Sequence, residues 1–380
     1  MSLFSGVGGI EMGLEEAGLG EIVALCECWR PAQAVLEQQY PGVQIHSDVT
    51  ELRDFGGATL VTAGFPCGDL SQAGGTRGLD GLASGLVRKV FSLLPPARPR
   101  WLLIENVRNM LHLGRGSALR EITSALEVAG YEWAYRVIDS RAFGLPQRRR
   151  RIYILASLEG GPAGVLFRSD HPSQRADGGA RGAWSNAFGF YWTEGNNGVG
   201  WAIDAVPTLK GGTTISIPSP PAVWLPDRRP GGRIVRPSIE SAERLQGFSP
   251  GWTSAAPTKD RWKLVGNAVS VPVARWIGEG LLRETPFAHD SLDQRPLPAG
   301  ETWPTAAYRR NGKVWRVEMS EWPTAPSGSG RHLSTILGRH GSQPLSHRAA
   351  AGFRDRLRRS SLRYDERFMN ALTEHVGLTQ

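Results

Sequence analysis

The 380-residue sequence holds little cysteine: three residues, Cys26, Cys28 and Cys67. So few exclude a disulfide scaffold and cannot close a Cys-only structural zinc site. The eight His show no paired spacing with them, so no metal is expected. No apolar run approaches the ~20 residues that span a bilayer. The opening, Met1-Ser2-Leu3-Phe4-Ser5-Gly6, has neither the basic leader nor the apolar core of a secretory signal. These absences predict a soluble, cytoplasmic protein with no membrane partner. Lysine is scarce as well. Only Lys89, Lys210, Lys259, Lys263 and Lys313 stand among 44 basic residues, so the net charge of +8 is carried by Arg. A polyanionic partner fits that balance, and so does a GC-rich coding sequence. Only the position of the charge separates the two.

The length predicts more than one domain, since domains usually run ~100 to 200 residues. Up to about residue 156, short β-branched runs alternate with helical patterns, as in a parallel sheet with crossover helices. The strands are expected at residues 1–5, 21–27, 43–47, 59–63, 101–105, 131–138 and 151–156. Between them, residues 10–17 place Ile10, Leu14 and Ala17 on one face. Residues 117–129 start on a Ser cap, carry Leu119, Ile122 and Leu126 at helical spacing, and stop at Gly130. From residue 157 to about 235 the chain is rich in Gly, Pro and Asn, with Trp184, Phe188, Phe190, Tyr191, Trp192, Trp201 and Trp224 among them. Those aromatics predict a smaller, loop-rich domain with its own core rather than a solvated linker. A helix is expected from Pro272 to about residue 282, and beyond residue 284 the sequence turns polar.

In a doubly wound sheet, ligands sit outside the carboxyl ends of the strands. The first strand ends in the glycine turn Phe4-Ser5-Gly6-Val7-Gly8-Gly9, the second at Glu27, and the third is followed by Asp48. A tight turn with carboxylates placed to grip ribose hydroxyls makes a nucleoside crevice. The dinucleotide fingerprint fails, because Glu11 occupies its third glycine position. That suits an adenosine cofactor without a pyrophosphate, or an ordinary Gly-rich turn. The fourth strand runs into Gly64-Phe65-Pro66-Cys67 and the fifth ends in Ile104-Glu105-Asn106-Val107. A thiol on a loop directly after a strand, with a carboxyl group on the same sheet edge, can do nucleophilic chemistry in which the acid protonates the substrate. A papain-like reading needs a His base nearby, and His46 and His112 keep it open. Cys26 and Cys28 read most simply as small buried residues. Further on, Gln147-Arg148-Arg149-Arg150-Arg151 abuts the apolar run Ile152-Tyr153-Ile154-Leu155. If this stretch is extended throughout, Arg149 and Arg151 share one face, with Arg148 and Arg150 turned away. The alternative is a solvated charge run.

The order of these pieces resembles the cytosine-5 DNA methyltransferases. The resemblance rests on LFSGVGG at 3–9, GFPCGDLS at 64–71, IENV at 104–107, QRRRRIYI at 147–154, ESAERLQGFSPGW at 240–252 and GNAVSVPVARWIG at 266–278, and covers about residues 1–282. It implies an α/β, doubly wound, Rossmann-like S-adenosylmethionine methyltransferase domain over 1–156, completed by 262–284. A smaller target-recognition domain over 157–261 and a basic C-terminal extension over 285–380 would follow. It implies that Phe4, Gly6, Val7 and Gly9 line the S-adenosylmethionine pocket, that Glu27 holds the ribose, that Cys28 packs on the adenine and that Asp48 and Val49 contact its edge. Leu86, Asn267 and Val269 would complete the pocket. Cys67 is implied as the nucleophile, Glu105 as the acid, and Arg149 and Arg151 as the residues that orient the base and neighbouring groups.

These roles answer a chemical need. Cytosine C5 is a poor nucleophile. Adding the Cys67 thiolate at C6, while Glu105 supplies a proton or hydrogen bond at N3, makes C5 enamine-like and able to take a methyl group. Loss of the C5 proton then expels the thiolate. Glu105 is therefore expected to be buried, with its acid form favoured. The target atom is unreachable inside a duplex, so the base must be flipped out at a cost of a few kcal/mol. Double-stranded DNA is the expected partner, read by a few polar side chains among Arg175, Arg181, Asn186, Glu194, Asn196, Asn197 and Lys210. A monomer is expected, with a cognate restriction endonuclease as a further partner.

Two features depart from the family pattern. Gly68 follows Cys67 where the family usually has Gln, and few residues precede the Leu-Phe-Ser-Gly turn, so either the start is assigned late or the first strand is short. Rival readings are the family's tRNA-methylating branch and a catalytically inactive DNA-binding relative. No Cys follows Cys67, which argues against the first, and Cys67, Glu105, Arg149 and Arg151 are all present, which argues against the second. Residues 301–380 carry thirteen Arg or Lys against seven Asp or Glu. That excess makes the tail a candidate for sequence-independent phosphate contact.

Overall fold

The computed structural model describes residues 1–65, 82–172, 187–194, 198–211, 219–283, 294–298, 300–325 and 332–379. They fall into two compact units, one of residues 1–142, 150–173 and 268–325, the other of residues 143–149, 174–267 and 326–380.

The first unit is built on a ten-stranded sheet. Strands β1 (Ser2–Leu3), β2 (Ala24–Cys26), β3 (Gln44–His46), β4 (Leu60–Gly64) and β5 (Trp101–Val107) are parallel, in the spatial order β3-β2-β1-β4-β5. Helices α1 (Gly9–Glu16), α2 (Arg30–Gln39) and α3 (Leu82–Ala97) lie along the chain between them. Apolar runs buried on both faces are what a parallel sheet covered by helices requires, and β5 is buried from Trp101 to Asn106. Strand β1 is short. It still occupies the middle of the sheet, and its backbone continues through Thr62 N–H donating to Met1 O at 3.0 Å.

After helix α4 (Ser117–Val128) comes β6 (Glu132–Asp139). The chain then gives β7 (Gln147–Arg148) to the second unit and returns as β8 (Arg150–Ser157), which inserts between β5 and β6, antiparallel to both. The sequence pattern alone predicted parallel strands throughout. Residues 140–149 are too few for a crossover, which takes a dozen residues or more, so β8 has to run back. A short helix, α5 (Pro162–Leu166), follows with every residue buried.

Helix α8 (Val271–Arg283) packs on α1 closely enough that glycines face the partner helix. A Cβ on Gly13 would stand 2.5 Å from Val271 O, and one on Gly278 would stand 2.7 Å from Ala17 Cβ. The two helices thus begin at the same end of the sheet, which brings Val269 toward the glycine turn.

Residues 285–380 do not form a separate extension where they are described. Strands β14 (Gln294–Pro296), β15 (Ala306–Arg310) and β16 (Lys313–Val317) lengthen the main sheet beyond β6, in the order β14-β16-β15-β6. Trp303 packs edge-on against Trp133 and Tyr135, and its Nε1 donates to Gly116 O. Their basic side chains form a polar dressing: Arg310 and Lys313 are exposed, Arg309 pairs with Glu127 and Glu132, and Arg316 pairs with Glu301. That dressing is why the sequence reads as a polar tail.

The second unit has a five-stranded sheet of β9 (Phe188–Phe190), β10 (Ala202–Ile203), β12 (Ala222–Trp224), β13 (Ile234–Pro237) and β17 (Ser342–Pro344), while β11 (Val206–Pro207) pairs with β7. Its helices are α6 (Ile239–Gln246), α7 (Thr258–Asn267), α9 (Leu333–His340), α10 (His347–Arg359) and α11 (Glu366–Leu378). Phe188, Phe190, Trp201 and Trp224 form the expected local core, completed by Phe353 and Phe368 from the tail. The Arg-rich stretch is therefore the polar side of an amphipathic helix. On α10, Ala350, Phe353 and Leu357 are buried at helical spacing, while Arg348, Arg358 and Arg359 stay exposed.

Candidate functional site

At the carboxyl end of β1 the backbone turns sharply. Phe4, Gly6 and Gly8 all have positive φ, at 56°, 58° and 83°, and Gly8 N–H donates to Ser5 O at 3.0 Å. Gly8 tolerates no side chain, because a Cβ would lie 2.6 Å from the Tyr40 ring, whose hydroxyl donates to Gly8 O. A Cβ on Gly6 would meet nothing within 4 Å, so the turn is open at that point. Glu27, just past β2, ties the turn to the next strand. Its Oε2 accepts from Gly6 N–H and its Oε1 from Trp29 N–H, both at 2.8 Å. Burial raises the Glu27 pKa and these hydrogen bonds oppose the rise. Cys28 and Asp48 are exposed alongside. Asp48 accepts from Thr50 N–H, which holds its carboxyl below the usual range. Val7, Gly9, Val49 and Val269 are buried, and Leu86 on α3 is half-buried against the main core. Asn267 ends α7 and belongs to the second unit. Cys26 is buried as expected, and burial pushes its thiol up to about 12.

Glu105 and Arg151 meet. In the antiparallel register Val107 faces Arg151 and Glu105 faces Tyr153, so Glu105 and Arg151 are diagonal neighbours on one face of the sheet. Arg151 Nε lies 3.1 Å from Glu105 Oε1, and both side chains are largely buried. Glu105 is 7% exposed. Gly64 pairs with Glu105 across β4 and β5, and a Cβ there would lie 3.9 Å from Glu105 Oε2. The chain is described as far as Phe65, which packs edge-on against Phe4. Cys67 lies outside the described residues, as do Arg175, Arg181, Asn186, Asn196 and Asn197.

Arg149 does not continue the extended run. Its N–H folds back to Gln147 O at 3.0 Å, which breaks the alternation expected to align it with Arg151. The side chain is buried in the second unit and donates to Leu209 O and Gly266 O at 3.2 and 3.1 Å. Around it, Gln147 accepts from Leu209 N–H and donates to Leu245 O and Gln246 Oε1, and Thr208 Oγ1 donates to Arg148 O. The Thr208-Leu209 pair is thereby stitched to the start of the arginine run. Arg148 donates to Gly200 O and Trp201 O, and Arg150 pairs with Glu321 and Asp139, so neither is a merely solvated charge. Lys210 and Glu194 pair at 2.9 Å.

Two carboxylates escaped the sequence reading. Glu11, the residue that broke the glycine fingerprint, is buried in the first turn of α1, and burial is the main force pushing its pKa up to about 7. Glu321, in the polar tail, reaches two arginines that flank the Glu105–Arg151 pair. Nothing local marks either one. Among the described residues no cluster of His, Cys, Asp or Glu could hold a metal ion, and no helix is long and apolar enough to cross a membrane.

The family model described as C-5 cytosine-specific DNA methylase matches residues 1–176. Type II methyltransferase M2.BsuMI of Bacillus subtilis (strain 168) is 46% identical over 385 residues, 98% of this chain and 96% of that protein. Type II methyltransferase M.NgoBV of Neisseria gonorrhoeae is 34% identical over 177 residues, 43% of this chain and 42% of that protein. Among solved structures, S. pombe Dnmt2 methyltransferase aligns with a TM-score of 0.55 at 18% identity, covering 74% of this chain and 97% of that one. That likeness supports the Rossmann-like, doubly wound methyltransferase fold.

Proposed function

The chain belongs to the C-5 cytosine-specific DNA methylases, and from that premise we propose that it methylates C5 of a flipped-out cytosine in duplex DNA through a Cys67 adduct at C6. The observation that carries the reading is the buried Glu105–Arg151 pair at the carboxyl end of β5, in the same sheet as the open glycine turn and the Glu27 carboxylate.

The residues at that turn fit S-adenosylmethionine. Gly6 leaves space, Glu27 spans the first two strand ends, and Cys28 and Asp48 are exposed beside it. Phe4, Val7, Gly9, Val49, Leu86, Asn267 and Val269 are the remaining residues proposed to hold it. When bound, it supplies an electrophilic methyl carbon on a sulfonium.

The chain's own residues make the base receptive. The Cys67 thiolate forms a bond to C6, and Glu105 gives a proton or hydrogen bond to N3. Electron density then collects at C5, which accepts the methyl group. Removal of the C5 proton reforms the 5,6 double bond and breaks the C6–S bond. Arg151, fixed against Glu105, orients the base, with planar donors suited to a fixed hydrogen-bonding edge. Arg149 contributes through the segment it braces, since its guanidinium holds two carbonyls. The target sequence is read by a few polar side chains among Arg175, Arg181, Asn186, Glu194, Asn196, Asn197 and Lys210. The protein works in the bacterial cytoplasm, as a monomer, alongside a cognate restriction endonuclease.

The adduct has a direct test. A duplex carrying fluorine at C5 of the target cytosine has no C5 proton to lose. Incubated with S-adenosylmethionine, it should remain attached to the protein through denaturing electrophoresis. A duplex released intact, while ordinary DNA is methylated, contradicts the covalent route.

A further inference from the structure

The ladder between β5 and β8 ends at the pair Val107–Arg151, two rungs past Glu105. The next residues outward are Arg108 on one strand and Arg150 on the other. Each is bound by a different oxygen of the same carboxylate. Arg108 Nε lies 3.4 Å from Glu321 Oε1, and Arg150 Nε lies 2.7 Å from Glu321 Oε2. Glu321 thus replaces the missing rung with an ionic bridge.

The bridge has a firm footing. Asp139 N–H donates to Glu321 O at 2.9 Å. The neighbouring Ser320 holds Asp170, and Ser320 O takes two donors from the fully buried Arg136. Trp322, on the other side, is buried under Arg141. The Glu321 side chain is only 14% exposed, while its partners Arg108 and Arg150 are 39% and 41% exposed. Asp139, fully buried, is held by Arg141 and reaches Arg150 at 3.5 Å, which closes the network on its third side.

We propose that Glu321 is a positioning residue for methyl transfer: by bridging Arg108 and Arg150 it holds the open ends of β5 and β8 together and fixes the distance between Glu105 and Arg151. This rests on the reading of Glu105 and Arg151 as the pair that handles the base. Strand ends fray unless tied, and a misplacement of about 1 Å at reacting groups costs up to about a hundredfold in rate.

The test compares wild type with Glu321→Gln, Glu321→Asp, Arg150→Gln and the double variant Glu321→Gln/Arg150→Gln. Steady-state methyl transfer to duplex DNA is measured together with amide hydrogen exchange. Glu321→Gln should lower kcat by tenfold or more and leave KM for S-adenosylmethionine within about twofold, because the glycine turn is on other strands. Amides near Val107 and Arg151 should exchange at least tenfold faster, with those of β1 and β2 unchanged. Glu321→Asp, which keeps the charge, should recover part of kcat and stands in if the Gln variant does not fold. The double variant should be no slower than the slower single. A kcat within twofold of wild type, a loss confined to KM for S-adenosylmethionine, full additivity with Arg150→Gln, or unchanged exchange at the strand ends overturns the proposal. A wild-type chain that labels no DNA refutes the DNA-methylation reading instead, and the exchange measurement still decides whether Glu321 ties the strands.

Discussion

Replacing Glu11 by Gln should stabilise the protein in a way that depends on pH. Burial in the first turn of α1 raises the Glu11 pKa from 4.5 to about 7. A carboxyl whose folded pKa lies above its unfolded value binds its proton more tightly in the native state. Native stability therefore falls as pH rises from about 4.5 to about 7, and the loss is complete above that. At 1.36 kcal/mol per pKa unit, the gap corresponds to about 3 kcal/mol. Gln has nearly the same shape and no charge to bury, so Glu11→Gln removes this penalty. Urea unfolding of both proteins at pH 5 and pH 8, with equal m-values, measures it. Between the two pH values the variant should gain about 2.5 kcal/mol on the wild type, because groups that do not interact with Glu11 cancel in the difference. A difference that stays constant to within about 0.5 kcal/mol would show that Glu11 is solvated or paired, and the burial argument would be wrong.

Gly278→Ala places a methyl group 2.7 Å from Ala17 Cβ. Overpacking of this kind costs about 1–3 kcal/mol, so calorimetry should show a melting temperature lower by several degrees. Residues 294–325 and 332–379 contribute strands and helices to both units, so truncation after residue 285 should reduce the yield of folded protein rather than only weaken DNA binding. The role of the tail in holding phosphates is better tested by changing Arg348, Arg359 and Arg363, all exposed, to Gln. If they touch phosphates, the slope of log K against log salt becomes shallower by about 0.9 for each arginine replaced. An unchanged slope assigns them to a solvated face.

The sequence made the doubly wound half legible because its signals are local. Apolar runs such as Leu102–Leu103–Ile104 mark a strand by themselves, and the glycine turn follows from Gly6 and Gly8. The strands that carry Glu105 and Arg151 were legible too, but their pairing was not, because it depends on the antiparallel register of β5 and β8. Arg149 was misjudged for a physical reason. Alternation holds only while the backbone stays extended, and the hydrogen bond from Arg149 N–H to Gln147 O bends it. The tail was misjudged because short strands and amphipathic helices rich in Arg carry the composition of a solvated segment. Their apolar halves, Ala306, Tyr308, Phe353 and Leu357, become visible only against the partners that bury them. Glu321 had no signal at all, since its meaning lies in two arginines far away in the chain.

The central claim is methyl transfer to DNA cytosine through Cys67. The most direct test incubates the full chain with tritiated S-adenosylmethionine and either duplex DNA or tRNA, beside the Cys67→Ala variant. Label should enter the DNA alone, and only with the wild-type protein. Label in tRNA, or label in DNA that survives Cys67→Ala, contradicts the account.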